Sequence, residues 1–297
     1  MTAALLLHDE GPTAGLGHRT RMTALADALR RHGVGASRTA IGPSGLPEGP
    51  AVDVDVVVVD SYEHRADAVV SGALVVAVDD LDRDLAVDLV VIPAGDAAEV
   101  GTGRRAPRAR RELRGLRYAL MSAPAPQTPQ PGANHGEGTV LVSLGAADRS
   151  GLGAEIAERI ADRYDGARVI HVPGPWSVPT SHPRVAVESD VTDLGPHLDA
   201  ATVVVSAGGV TMLESLLRGR PTVVVPTAAN QSTAVESVRA ADAAVVLSGA
   251  DRAGDAADAV IDLLAEPARR TELGRRAAGL IDGRGADRVA EAVLELL

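Results

Sequence analysis

Short apolar runs alternate with amphipathic segments along nearly the whole chain. Parallel strands joined by crossover helices give this alternation, because such strands are covered on both faces while each helix keeps one side in water. In the first half, the runs AALLLH, VGASRTA, VDVVVVD, ALVVAVDD and DLVVIP predict strands. Helices are predicted after His18, where Leu and Ala recur at helical spacing, and after Ser61.

The stretch SAPAPQTPQPGANHGEG, residues 122–138, breaks the rhythm with Pro, Gly, Gln and Asn and reads as a linker. The grammar then restarts. Strands are predicted at TVLVSLG, ARVIHVPG, TVVVSAGG, PTVVVPT and AAVVLSG, and helices at GAEIAERIADRY, VTDLGPHLDAA, from Val210 and from Gln231. From Asp251 onward the spacing is almost entirely helical. The expected architecture is α/β, with two Rossmann-like doubly wound parallel sheets: an N-terminal domain over 1–121, the linker over 122–138, and a C-terminal domain with a helical tail over 139–297. In open α/β sheets ligands bind at the carboxyl ends of the strands, so a cleft between two such domains is the expected place for chemistry.

At 297 residues and 45% hydrophobic, the chain is long enough to bury a large core in two domains. A formal charge of −11 argues against nucleic acid as a partner. The arginine-rich run GRRAPRARRELR, residues 103–114, is read as a solvated helix face. No stretch reaches the roughly 18 apolar residues of a membrane span, and the amino terminus lacks the pattern of a signal peptide. A soluble, cytoplasmic protein without membrane insertion is therefore expected. With no cysteine there are no disulfides and no thiolate metal sites.

The most informative stretch is SAGGVTMLESLLRGRPTVVVPTAANQ, from Ser206 to Gln231. A strand ends, two glycines follow and a helix begins, so free backbone N–H groups and the positive helix end point at whatever lies above. A phosphate is a natural occupant. Gly208 and Gly209 allow close approach, Val210 opens the helix, and Thr211 adds a hydroxyl. Glu214, one turn on, suits the vicinal diol of a ribose. The combination resembles the carboxyl-terminal domain of GT-B nucleotide-sugar enzymes of the MurG type. That resemblance makes Ser206, Gly208, Gly209, Val210, Thr211 and Glu214 the nucleotide-binding set.

In the first half, Gly15-Leu16-Gly17-His18 is not a dinucleotide fingerprint, since Thr20 stands where a third glycine or alanine is needed. It is not a P-loop, since the chain has no lysine. The pattern Gly15-x-Gly17-His18-x-x-Arg21 is instead similar to the PseG/SpsG family of nucleotide-sugar hydrolases. Asp60-Ser61-Tyr62, Asp79-Asp80-Leu81, GLRYALM around Tyr118, VSLGAAD ending at Asp148, and NQSTA over 230–234 follow in family order. The chain departs from the family after Met121, where Ser-Ala-Pro replaces a basic and an aromatic residue, and at SLGAAD, which is less glycine-rich.

This resemblance implies release of a nucleoside diphosphate, UDP in the family's archetype, by water attacking the anomeric carbon. At the start of a helix, the positive dipole end favours a neutral imidazole at His18, which suits a general base. Asn230 is its expected catalytic companion, with Gly15, Gly17, Tyr62, Tyr118, Gln231 and Ser232 toward the sugar or acceptor, and Arg21 reaching either a sugar substituent or a carboxylate of its own domain. Neither a metal nor a cofactor is expected, the DDLD run at 79–82 being read as a strand-end turn. Two alternatives stand beside the hydrolase: an inverting GT-B glycosyltransferase using a small-molecule acceptor, and a non-catalytic nucleotide-sugar binder.

Overall fold

The computed structural model describes residues 2–42, 45–46, 53–69, 72–94, 108–121 and 138–297. The chain divides into two compact units, Met1–Ser122 with Gly283–Leu297, and Ala123–Asp282. Most of the expected linker, 122–137, lies outside the described residues, and Gly138 already belongs to a strand.

Among its described residues the first unit contains six strands: β1 (Ala3–His8), β2 (Gly35–Ala40), β3 (Val56–Asp60), β4 (Leu74–Val78), β5 (Leu89–Ile92) and β6 (Arg111–Arg114). They form one parallel sheet in the order β2-β1-β3-β4-β5-β6. Alternate residues face opposite sides. Leu6, Val56, Val58, Val76 and Val78 meet Met22, Leu25 and Leu29 of helix α1 (Gly17–Arg31), while Leu7, Val57, Val59, Ala77 and Val90 form a second layer with Leu85 and Ala66.

The second unit holds β7 (Gly138–Ser143), α2 (Leu152–Arg163), β8 (Ala167–His171), β9 (Val185–Val187), α3 (Gly195–Ala200), β10 (Val203–Ser206) and α4 (Val210–Leu217). It continues with β11 (Thr222–Val224), α5 (Ser232–Ala240), β12 (Val245–Val246), α6 (Arg252–Ala265) and α7 (Pro267–Leu280). Its parallel sheet has the order β12-β11-β10-β7-β8-β9. Val140, Val142, Val203, Val205 and Val223 pack beneath Ile156 and Ile160 of α2 and Val260 and Leu263 of α6. Leu141, Ile170 and Val204 pack on the other side with Leu198 of α3.

Four features differ from the expectation. The terminal helix α8 (Gly285–Leu294) packs on α1 through Val289, Ala290 and Val293, so the end of the chain belongs to the first unit. Spacing reveals that a helix has an apolar face but not which sheet covers it. Among the described residues after Ser61 and before β4 there is no α-helix, only a short 3₁₀ turn at Ala66–Ala68. Ser61 Oγ accepts from the backbone N–H groups of Glu63 and His64, which closes a local turn in place of a helical ladder. Residues 111–114 are not a helix face but edge strand β6, with Leu113 and Arg114 buried and the Arg114 guanidinium paired with Glu112 and Asp82. The three-residue edge strand β9 is too short to have been read from the sequence.

Candidate functional site

Each unit presents its own cluster at the carboxyl edge of its sheet. In the first, register places His8 beside Asp60 and Asp60 beside Val78, so the residues following β1, β3 and β4 emerge side by side. Helix α1 follows the loop after β1. Gly15 has φ +74°, in the left-handed region that favours glycine, and its N–H donates to the carbonyl of Gly11 at 2.7 Å, closing that loop tightly. Gly17 opens α1, and His18 and Arg21 then lie one turn apart on the side facing the strand ends.

The imidazole of His18 is 2% exposed, and its Nδ1 lies 2.7 Å from Asp60 Oδ1. Arg21 grips the same carboxylate twice, from Nη2 to Oδ1 at 2.7 Å and from Nε to Oδ2 at 3.0 Å, and donates from Nη1 to Asp80 Oδ2 at 2.5 Å. Burial alone would raise the Asp60 carboxyl, but the charges of Arg21 and His18, with their hydrogen bonds, outweigh it and hold it below its ordinary value. Burial also opposes the Arg21 cation, and Asp60 and Asp80 overcome that, so the guanidinium stays firmly charged.

An ionised carboxylate can only accept, so Nδ1 of His18 carries a proton, and when the ring is neutral the lone pair sits on Nε2. Arg21 Nη2 also lies 3.1 Å from Nδ1. Since both nitrogens donate to Asp60 Oδ1, this is a contact between neighbours rather than a further bond. Nε2 is buried and has no hydrogen-bond partner among the described residues. An orphan of this kind in a charged, well-paired cluster is a functional signal. Tyr62 packs edge-on against the His18 ring with centroids 4.3 Å apart, its hydroxyl donates to Asp80 Oδ2 at 3.2 Å, and its N–H donates to Asp9 Oδ2 at 2.8 Å.

Tyr118 is not brought to this cluster by any hydrogen bond or ring contact found among the described residues. It ends a 3₁₀ turn beside α8, with the Arg117 guanidinium 5.1 Å over its ring. A side chain at Gly285 of α8 would strike the Ala119 carbonyl and the Tyr118 backbone, which accounts for the glycine there. The DDLD run is consumed by arginines: Asp79 bonds Arg83, Asp80 bonds Arg21 and Asp82 bonds Arg114. Among the described residues no group of three His, Cys, Asp or Glu is placed to hold a metal ion.

In the second unit, β10 ends at Ser206, whose hydroxyl donates to the Ala207 carbonyl at 3.1 Å. The two glycines have different environments. A Cβ on Gly208 would fall 2.3 Å from Val235 Cγ2 and 2.9 Å from Gln231 Cβ, whereas one on Gly209 would meet nothing within 4 Å. Gly208 therefore serves close packing against α5, and Gly209 faces open space at the start of α4. Among the described residues no side chain caps that helix, and its first turn, Val210 and Thr211 included, contains no acidic residue.

Gln231 is occupied within its own unit: its Oε1 accepts from the N–H groups of Gly208 at 3.2 Å and Thr227 at 2.9 Å. It ties the glycine turn after β10 to the loop after β11. Asn230 is half-buried, with no side-chain hydrogen bond among the described residues, and Ser232 opens α5 on the surface. Glu214 is half-buried one turn into α4, and its carboxylate has no hydrogen bond or ion pair among the described residues. Burial raises its carboxyl, Arg218 pulling the other way and Asp193 adding to the rise.

The residue that sequence reasoning passed over is Asp60. It appeared only as part of a motif, although an acid closing the run VVVVD is a carboxylate held at the buried edge of a sheet. No helix among the described residues is long and apolar enough to cross a membrane.

No family model and no curated protein matches the sequence. Solved structures do resemble the chain. MurG of Acinetobacter baumannii superposes with a TM-score of 0.63 at 12% identity, covering 99% of this chain and all (100%) of that one. The glycosyltransferase SnogD of Streptomyces nogalater gives 0.64 at 16% identity, with 99% and 100% covered. The rhamnosyltransferase SpnG, solved with thymidine diphosphate, gives 0.60 at 16% identity, with 98% and 100% covered. The chain has the two-unit α/β fold of the GT-B glycosyltransferases.

Proposed function

We propose that this chain is an enzyme that releases a nucleoside diphosphate from a nucleotide sugar, the second unit binding the nucleotide and His18 acting as general base. The observation that carries the reading is the buried His18 ring, fixed at Nδ1 by Asp60 and, among the described residues, unpartnered at Nε2. A base needs a lone pair aimed at the proton it removes and a partner that stabilises the cation formed. Asp60 supplies the second requirement, and Arg21 keeps Asp60 ionised and oriented.

In the second unit, the uncapped start of α4 with Gly209, Val210 and Thr211 suits the diphosphate. The same helix end would stabilise the charge developing on the departing diphosphate. Glu214, half-buried and unpaired, suits the ribose hydroxyls, and Asn230 suits the sugar or the nucleophile. Gln231 acts one step back, by holding the Gly208 turn.

Water is the first reading for the attacking oxygen. The motif resemblance supports it. Transfer to a hydroxyl acceptor is the second reading, favoured by the glycosyltransferases that share the fold. Incubation with UDP-, TDP- and CDP-sugars, with and without alcohol acceptors, separates them. Nucleoside diphosphate released without acceptor supports hydrolysis, release only with acceptor supports transfer, and binding without release overturns the enzymatic reading.

A further inference from the structure

We infer that Arg83 is a positioning residue, which sets the Tyr62 ring against His18 by holding the carbonyls of the turn that carries Tyr62. Arg83 follows Asp82, whose φ of +52° folds the chain back on itself after β4. The returning residue is locked to Asp79, its N–H donating to Oδ2 at 2.6 Å and its Nε to Oδ1 at 2.8 Å, and the Asp79 side chain is wholly buried.

The rest of the guanidinium is spent on one turn. Nη2 donates to the Ser61 carbonyl at 2.7 Å, and Nη1 reaches the carbonyls of Tyr62 at 3.4 Å and His64 at 3.5 Å. From the opposite side, Asp9 accepts the Tyr62 N–H. The turn is thus held at its carbonyls from the end of β4 and at an amide from the end of β1. Between these anchors the Tyr62 side chain projects onto the His18 ring. Only a planar fork with five donors can serve a carboxylate and several carbonyls together; a lysine ammonium cannot. Arg83 touches neither His18 nor Asp60 in any hydrogen bond or ion pair of the structure, so its influence on the base passes through Tyr62.

The test compares Arg83→Met, Tyr62→Leu and the double variant in the full chain, reading the imidazole proton resonances of His18 by NMR, assigned by their loss in His18→Gln. Each single variant is expected to displace these resonances, because the ring current of Tyr62 is moved or removed, and the double variant is expected to add nothing to Tyr62→Leu. Unchanged His18 resonances in Arg83→Met, or additive shifts in the double variant, overturn the inference. Should Arg83→Met fail to fold, Arg83→Lys is read in the same comparison, since it keeps the charge and loses the fork.

A second arm rests on the proposed function. Arg83→Met is expected to lower kcat about 10- to 100-fold with KM for the donor unchanged, as for a misplaced catalytic group. That loss is expected to vanish in the Tyr62→Leu background, as it does for two residues acting through one contact. A chain that turns over no nucleotide sugar defeats the functional reading and leaves the NMR comparison fully decisive for Arg83.

Discussion

Asp60 holds the imidazole of His18 by a 2.7 Å contact between Oδ1 and Nδ1. The pairing dictates the tautomer, because an ionised carboxylate accepts and never donates. Asp60→Asn keeps the shape and offers an amide that can donate, which lets the lone pair turn to Nδ1. Steady-state turnover is expected to fall about 100- to 10,000-fold, the range for a base held in the wrong tautomer. Arg21 retains Asp80 in this variant, so circular dichroism is expected to show a folded protein.

His18→Ala is expected to abolish turnover while leaving the dissociation constant for nucleoside diphosphate nearly unchanged, since the base acts only in the transition state. Calorimetric titration with UDP and TDP beside a turnover assay gives both numbers. Undiminished turnover would remove His18 from the mechanism.

Gly208→Ala and Gly209→Ala are expected to part company. The first forces a methyl group into Val235 and Gln231, and overpacking of this kind costs about 1–3 kcal/mol, visible as a lower Tm. The second meets no neighbour and leaves Tm alone, but it places a methyl where the phosphates are proposed to approach, so it weakens nucleotide binding. Equal behaviour of the two variants would contradict the assignment.

Glu214 is expected to make nucleotide affinity pH-dependent. Burial raises its carboxyl, so as the pH falls the group takes up its proton at a higher pH than an exposed glutamate does. Protonation removes the charge that accepts the ribose hydroxyls, and affinity weakens toward acid. Glu214→Gln is expected to bind more weakly at neutral pH and to lose that dependence, a comparison made by titrating nucleoside diphosphate at several pH values.

His171 is expected to make stability pH-dependent in a separate window. Burial lowers its basicity, with Asp148 and Glu158 opposing, so the folded state binds its proton less readily than the unfolded state does. Below the ordinary histidine value of about 6.5 the unfolded chain takes up a proton that the folded chain resists, and stability declines as pH falls. Denaturant midpoints between pH 7 and 5 are expected to fall more steeply for the native chain than for His171→Phe.

The apolar periodicity of the sequence by itself determined two parallel α/β sheets, since runs such as VVVVD and TVVVS are intelligible only as strands covered on both faces. Local chemistry also marked His18 behind its glycine turn and Glu214 behind its own, because helix starts and turns are written in neighbouring residues. What joins distant residues was decided by the tertiary structure alone. Asp60 meets His18 and Arg21 across 42 and 39 positions because parallel register brings strand ends together. Gln231 meets Gly208 across 23 positions for the same reason. After Ser61 its own hydroxyl closes a local turn, and only the fold brings Arg83, 22 residues away, to the Ser61 carbonyl. Helix α8 shows an apolar face in sequence, yet only packing settled that this face covers α1. Short-range spacing records which face of an element is apolar; partner choice depends on contacts between segments far apart in the chain, and these exist only once it has folded.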